Sequence, residues 1–158
     1  MIRAARPADA AAIAAIWNPV IADTTITFTT QLKTETGLQA LISERLPAFL
    51  VAETAGTVLG FATYGPFRAG NGYAHAREHT ILLGPQARGR GLGRALMSAL
   101  EEIARAQGIH TLVGGVSGEN AAGIAFHRAM GFSDTARLPE SGRKFDRWLD
   151  LVLMQKIL

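Results

Sequence analysis

The chain has no cysteine among its 158 residues. That absence excludes disulfides, zinc–thiolate sites and a cysteine nucleophile. No apolar run approaches the roughly 18 residues that a membrane-spanning helix needs. The Ala-rich stretch from Ala8 to Ala15 is too short and carries Asp9. The first residues, Met1 to Pro7, lack the apolar core of a secretion signal. No membrane partner is therefore expected, and the expected location is the cytoplasm. There is no repeat, low-complexity tract or linker, so residues 1–158 read as one domain. Net charge is only +3. A nucleic-acid-binding protein carries a longer basic stripe with interleaved aromatics, and none is visible.

What is present is alternation of strand and helix signals. Ile2–Arg6 reads as a short strand. Pro7 and Asp9 open a helix with Ile13, Ile16, Trp17, Val20 and Ile21 at helical spacing, which Asn18–Pro19 should end or kink. Thr24 to Thr30 reads as a loop or short extended piece. Thr36 opens a second helix, stopped by Pro47. Phe49–Glu53 and Val58–Tyr64 form a hairpin across Ala55–Gly56. Pro66 to Gly72 is a loop, and Tyr73 to Leu83 is extended. Leu92, Leu96, Leu100 and Ile103 mark the strongest amphipathic helix, closed by Gly108. Thr111–Val116 is a strand and Asn120–Met130 a helix. Phe132–Leu138 and Trp148–Met154 are the last strands. The order predicts an α/β domain built on one mixed sheet flanked by helices.

The segment Arg88–Gly89–Arg90–Gly91–Leu92–Gly93–Arg94 lies between a strand and that strongest helix. Glycines let backbone N–H groups approach a ligand closely, and a helix start adds unpaired N–H groups and positive dipole. Together these suit a pyrophosphate, with the three arginines adding charge-assisted contacts. A Walker loop needs Lys-Ser/Thr after its last glycine, and Arg94–Ala95 follow here. A dinucleotide fingerprint needs G-x-G-x-x-G, and the spacing here is G-x-G-x-G.

The remaining pattern, Arg88-x-x-Gly91-x-Gly93, resembles the acetyl-CoA motif Q/R-x-x-G-x-G/A of the GNAT acetyltransferases. Asn120 to Phe132 resembles their N-x-x-A-x-x-F-Y-x-x-x-G-F helix. Trp17–Ile21, Tyr64–Arg68, Tyr73–Leu83 and Gly142–Asp150 extend the resemblance over nearly the whole chain, toward the phosphinothricin and methionine sulfoximine acetyltransferases. The resemblance implies the GNAT fold, a mostly antiparallel sheet, acetyl-CoA as co-substrate, a small amino-acid-like amine as substrate, and a homodimer.

It also implies residue roles. Glu78 falls at the general base. Ile81, Leu82 and Leu83 fall on the strand that pairs with pantetheine. Arg88, Gly89, Arg90, Gly91, Leu92, Gly93 and Arg94 hold the pyrophosphate, with Asn120 and His127 near the cofactor arm. Phe28, Phe67, Arg68, Glu78, His79 and Thr80 fall near the amine substrate, with Arg68 as clamp for its acidic group. Asn120 is either an N-cap, a cofactor ligand, or both. His127 replaces the family's tyrosine acid. It is either a proton donor or a buried hydrogen-bonding group. No metal is expected: His75 and His79 lie in an extended segment without a suitable third ligand. Two alternatives share this fold: acetylation of a peptide or protein N-terminus, and non-catalytic binding of acetyl-CoA.

Overall fold

The computed structural model describes residues 1–158. The chain runs β1 (Ile2–Ala4), α1 (Ala10–Asp23), α2 (Glu35–Arg45), β2 (Phe49–Thr54), β3 (Thr57–Pro66), β4 (Ala76–Leu83), α3 (Leu92–Ala106), β5 (Thr111–Ser117), α4 (Ala121–Ala129), β6 (Ser133–Lys144) and β7 (Arg147–Ile157). One seven-stranded sheet has the order β1-β2-β3-β4-β5-β7-β6. This is the mixed, mostly antiparallel sheet expected from the sequence.

Strand alternation divides the core into two layers. Phe49, Val51 and Phe61 face α1 and α2, where they meet Ile13, Trp17, Ile21, Leu38 and Ile42. Leu50, Ala52 and Ala62 face the other way, onto Leu96, Met97 and Leu100 of α3. The periodic stripe of α3 is thus buried as its spacing requires. Glu101 of α3 is buried and bound by Lys156 Nζ of β7 at 2.7 and 2.8 Å. That pairing satisfies a charge that would otherwise be costly inside the core. It also fixes the helix against the sheet.

One pair of strands decides where a ligand can enter. β4 and β5 are the parallel pair, and they are joined only over Ala76–His79 and Thr111–Gly114. β4 then continues to Leu83 along β3, and β5 to Ser117 along β7. Past His79 and Gly114 the two strands share no pairing, and the sheet opens into a notch.

Several boundaries differ from the sequence expectation, and four of the differences have a clear structural cause. α1 runs through Pro19 to Asp23. A mid-helix proline costs about 3 kcal/mol, but Ile13, Trp17 and Ile21 bury one face, and Asn18 exchanges two hydrogen bonds with the Lys33 backbone at 2.8 and 3.0 Å. α2 starts at Glu35, capped by Thr34, whose Oγ1 accepts from the Gly37 N–H at 3.1 Å. Tyr73 ends a short 3-10 turn (Asn71–Tyr73) and β4 begins only at Ala76. β6 reaches Lys144 rather than Leu138, because irregularities at Asp134/Ala136 and Leu138/Gly142 absorb the interruption around Pro139. No helix is long and apolar enough to cross a membrane.

Candidate active site

The notch between β4 and β5 holds a cavity. Glu78 to Leu82 form one wall and Gly114 to Ser117 the other. Ile26, Thr27 and Phe28 of the loop after α1, with Asn120 and His127 of the α4 segment, close its sides. Glu78 reaches solvent through this cavity. Its Oε1 sits so near β5 that a Cβ on Gly115 would lie 3.0 Å away. The partial shielding pushes the Glu78 pKa above the usual carboxylate range, because burial disfavours the charged form. A carboxyl tuned upward, in a cavity and unpaired with any cation, is chemically suited to take up a proton from a group bound beside it.

Gly114 makes room on the opposite face of β5. A Cβ there would lie 3.0 Å from Cε1 of His79 and 3.1 Å from Nε2 of His127. The two imidazoles stack, with Nε2 to Nε2 at 2.8 Å. His127 Nδ1 lies 2.7 Å from the Gly123 carbonyl, which can only accept. Nδ1 of His127 therefore carries a hydrogen. Neutral His127 then accepts at Nε2, and His79 Nε2–H is the donor. Both nitrogens of His127 are thus engaged inside the protein. In this arrangement His127 has no free N–H for a departing group, and the buried hydrogen-bonding role fits it.

Desolvation lowers the pKa of both rings. For His79 the neighbouring His127 adds to that, and the His79 Nδ1 is left without a hydrogen-bond partner. The pair is neutral at physiological pH. Below the ordinary histidine pKa of about 6.5, the unfolded chain binds protons that the folded chain refuses. Stability is therefore full above that value and declines as pH falls through it. In Glu78→Gln, which removes a carboxyl whose raised pKa would act with the opposite sign, the melting temperature should drop by several degrees between pH 7 and pH 5, a window above the range where the salt-bridged Asp9, its pKa lowered by Arg3, titrates. A melting temperature constant over that window would contradict burial of the pair in its neutral form.

The second half of the site adjoins the first along β4. Leu83 ends that strand and, with Arg88, Gly89, Gly91, Leu92, Gly93 and Arg94, lines a depression at the start of α3. Gly89 and Gly91 have φ of 71° and 70°, a region that L side chains rarely adopt. Gly91 is the N-cap of α3 and has no side chain to occupy the helix's first N–H groups. Gly93 is buried, and a Cβ on it would lie 3.2 Å from Phe126 and 3.3 Å from Leu83. The loop is thus shaped to turn backbone donors outward, and its donor set suits an anion. Arg90 is not among the residues that line this depression.

The predicted residues divide accordingly. Phe28, Glu78, His79, Thr80, Ile81, Leu82, Asn120 and His127 meet at the notch, and the loop residues with Leu83 meet beside it. Asn120 is the N-cap of α4, accepting from the Gly123 N–H at 2.9 Å, and it also lines the cavity. Phe67 and Arg68 are not in the lining. Phe67 packs edge-on against Tyr73 at 6.2 Å, and the Arg68 guanidinium lies over the same ring at 5.5 Å. The 3-10 turn brings Tyr73 back onto this loop, against both residues. His75 and His79 also separate: His75 Nδ1 is 2.9 Å from the Gly108 carbonyl. Sequence reasoning missed Gly114, Gly115 and Ser117. The consecutive glycines within a strand were the available signal, since such glycines mark close approach of another group.

Residues 15–132 match the acetyltransferase (GNAT) family. An L-amino acid N-acyltransferase of Escherichia coli (strain K12) is 40% identical over 98% of this chain and 91% of its own. An L-methionine sulfoximine/L-methionine sulfone acetyltransferase of Pseudomonas aeruginosa is 39% identical over 98% of this chain and 92% of its own. Among solved structures, a ribosomal-protein-alanine N-acetyltransferase from Brucella melitensis superposes with a TM-score of 0.94 at 41% identity, covering 100% of this chain and 99% of that one. A Salmonella typhimurium chain solved with its cofactor acetyl-CoA superposes with a TM-score of 0.95 at 38% identity, covering 100% and 93%.

Proposed function

The chain belongs to the GNAT acetyltransferase family, and from that premise we propose that it moves the acetyl group of acetyl-CoA onto the amino group of a small amino-acid-like substrate of the methionine sulfoximine or phosphinothricin type. The observation that carries this reading is the continuous site along β4. A tuned carboxyl, Glu78, stands at one end of the exposed strand edge, and an anion-suited glycine loop stands at the other.

Acetyl-CoA supplies a thioester carbonyl open to attack. The chain's residues do the rest. Arg88, Arg94 and the N–H groups at the start of α3 bind pyrophosphate oxygens. The unpaired edge of Ile81 to Leu83 orients the pantetheine arm, and its N–H groups polarise the thioester oxygen. An amine arrives protonated, and only its free base attacks. Glu78 takes that proton, directly or through a water. Direct attack needs no enzyme nucleophile, in keeping with a chain that has no cysteine.

A second reading has its own support. The Brucella relative is named for acetylating a ribosomal protein's alanine, and an N-terminal amine poses the same chemical problem to Glu78. Release of free thiol from acetyl-CoA, followed across a panel of amines, separates the two. Methionine sulfoximine, methionine sulfone, phosphinothricin and free L-amino acids form one arm. Peptides beginning with alanine form the other. The proposal expects kcat/KM at least about tenfold higher in the first arm, the size of preference that a few pocket contacts supply. Preference for the peptides would replace it with the second reading. Silence in both arms, with coenzyme A still raising the melting temperature, would favour a non-catalytic binding module.

A further inference from the structure

The amine side of the cavity is walled by a loop that does not hold itself in place. Residues 24–30 belong to no strand or helix. Their side-chain hydrogen bonds are local: Thr24 Oγ1 donates to the Val20 carbonyl at 2.6 Å, and the Ile26 N–H donates back to Thr24 Oγ1 at 3.2 Å. The Thr27 hydroxyl is buried without a partner. Yet this loop carries Phe28 into the lining opposite Glu78.

The anchor comes from the far end of the chain. Only two side-chain positions of β6 are buried, Gly142 and Lys144, and both meet this loop. Lys144 is 3% exposed and forms no ion pair. Its ammonium donates to the carbonyls of Thr24 at 2.6 Å and Thr27 at 2.8 Å. Burying an ammonium is costly unless hydrogen bonds replace its water, so these two carbonyls and the lysine hold one another in place. Two residues earlier, and therefore on the same face of the strand, Gly142 supports the Phe28 ring. A Cβ at position 142 would lie 2.3, 2.5 and 2.9 Å from three ring atoms. Gly142 is absent from the positive-φ glycines, so the backbone does not require glycine there. The ring does, because it packs directly against the bare main chain.

We propose that Gly142 and Lys144 of β6 determine amine specificity: they seat Phe28 and so set the width of the cavity for the side chain of an amino-acid substrate. This rests on the reading of the notch as the amine site. With no side chain at 142, the Phe28 ring sits directly against the strand, and the cavity it lines keeps the space that a displaced ring would take. It then admits an unbranched side chain longer than alanine's. Any Cβ at 142 drives the ring off its seat, and because Phe28 lines the cavity, the displacement changes the shape of that cavity.

Two variants test this, with readouts that fail separately. In Gly142→Ala, the ratio of kcat/KM for methionine sulfone over alanine should fall at least about tenfold, within the range that one methylene group commands in a pocket. The KM for acetyl-CoA should stay within about twofold, because its loop lies at the other end of β4. Removing the ring as well, in Phe28→Ala/Gly142→Ala, should erase the effect of the alanine at 142. In Lys144→Met, amide hydrogen exchange at residues 25–28 should quicken at least about tenfold while the sheet stays protected, because local opening then costs less. That measurement needs no substrate. If the wild type acetylates no amine, the proposed function fails and the exchange result still judges the anchor. If the wild type is active but folded Gly142→Ala keeps its preference, or Lys144→Met leaves exchange at 25–28 unchanged, the inference is overturned.

Discussion

Replacing Glu78 with glutamine should lower turnover by a factor on the order of 10² to 10⁴, the usual contribution of a positioned general base. Glutamine keeps the shape and the approach to Gly115 but cannot take a proton. Binding of acetyl-CoA should be unchanged within about twofold, since the loop and helix that suit its phosphates are not touched. The pH profile adds a second signature. Burial raises the Glu78 pKa, and the active form is the carboxylate. Wild-type kcat/KM should therefore climb with pH through a limb above the ordinary carboxylate range. That limb should vanish in the variant. A Glu78→Gln enzyme with wild-type turnover would remove Glu78 from the mechanism.

The second large effect concerns the other end of β4. Arg88→Ala combined with Arg94→Ala should raise the KM for acetyl-CoA on the order of a hundredfold or more, since charged hydrogen bonds contribute roughly 1.5–3 kcal/mol each. Both arginines are exposed beside the depression at the start of α3. Neither has a competing carboxylate in the folded chain. The loss should shrink at high salt, where screening has already weakened the wild-type contacts. Saturating acetyl-CoA should recover turnover, and the KM for the amine should move little. An unchanged KM for acetyl-CoA would mean that the backbone donors of Gly89 to Gly93 bind the phosphates unaided.

Much of the fold was legible because it is local. The stripe of α3 and the alternation along β2 are short-range patterns, and each dictates which side is buried. The glycine loop was legible for the same reason: its meaning lies in spacing and in its place before a helix. Where the sequence misled, distant contacts overruled local rules. Pro19 signals a stop, but Asn18 tied to Lys33 and the buried Trp17 carry α1 onward.

The least legible part was the cavity wall that carries Phe28. Gly142 and Lys144 act on residues more than a hundred positions away, and Pro139 made β6 look shorter than it is. The histidine pair was hidden in the same way. His79 and His127 lie 48 residues apart in sequence, and nothing near either one announces that they share a hydrogen bond. That bond changes what His127 can do, since a motif position alone left it open as a proton donor.

The central claim is transfer of acetyl from acetyl-CoA to the amine of a small amino acid, with Glu78 as base. Mass spectrometry of wild-type and Glu78→Gln reactions with methionine sulfoximine tests it most directly. The wild type should form singly N-acetylated methionine sulfoximine, one equivalent for each equivalent of free coenzyme A, while the variant under the same conditions forms little of either. Coenzyme A released without acetylated amine, or equal product from both proteins, would contradict it.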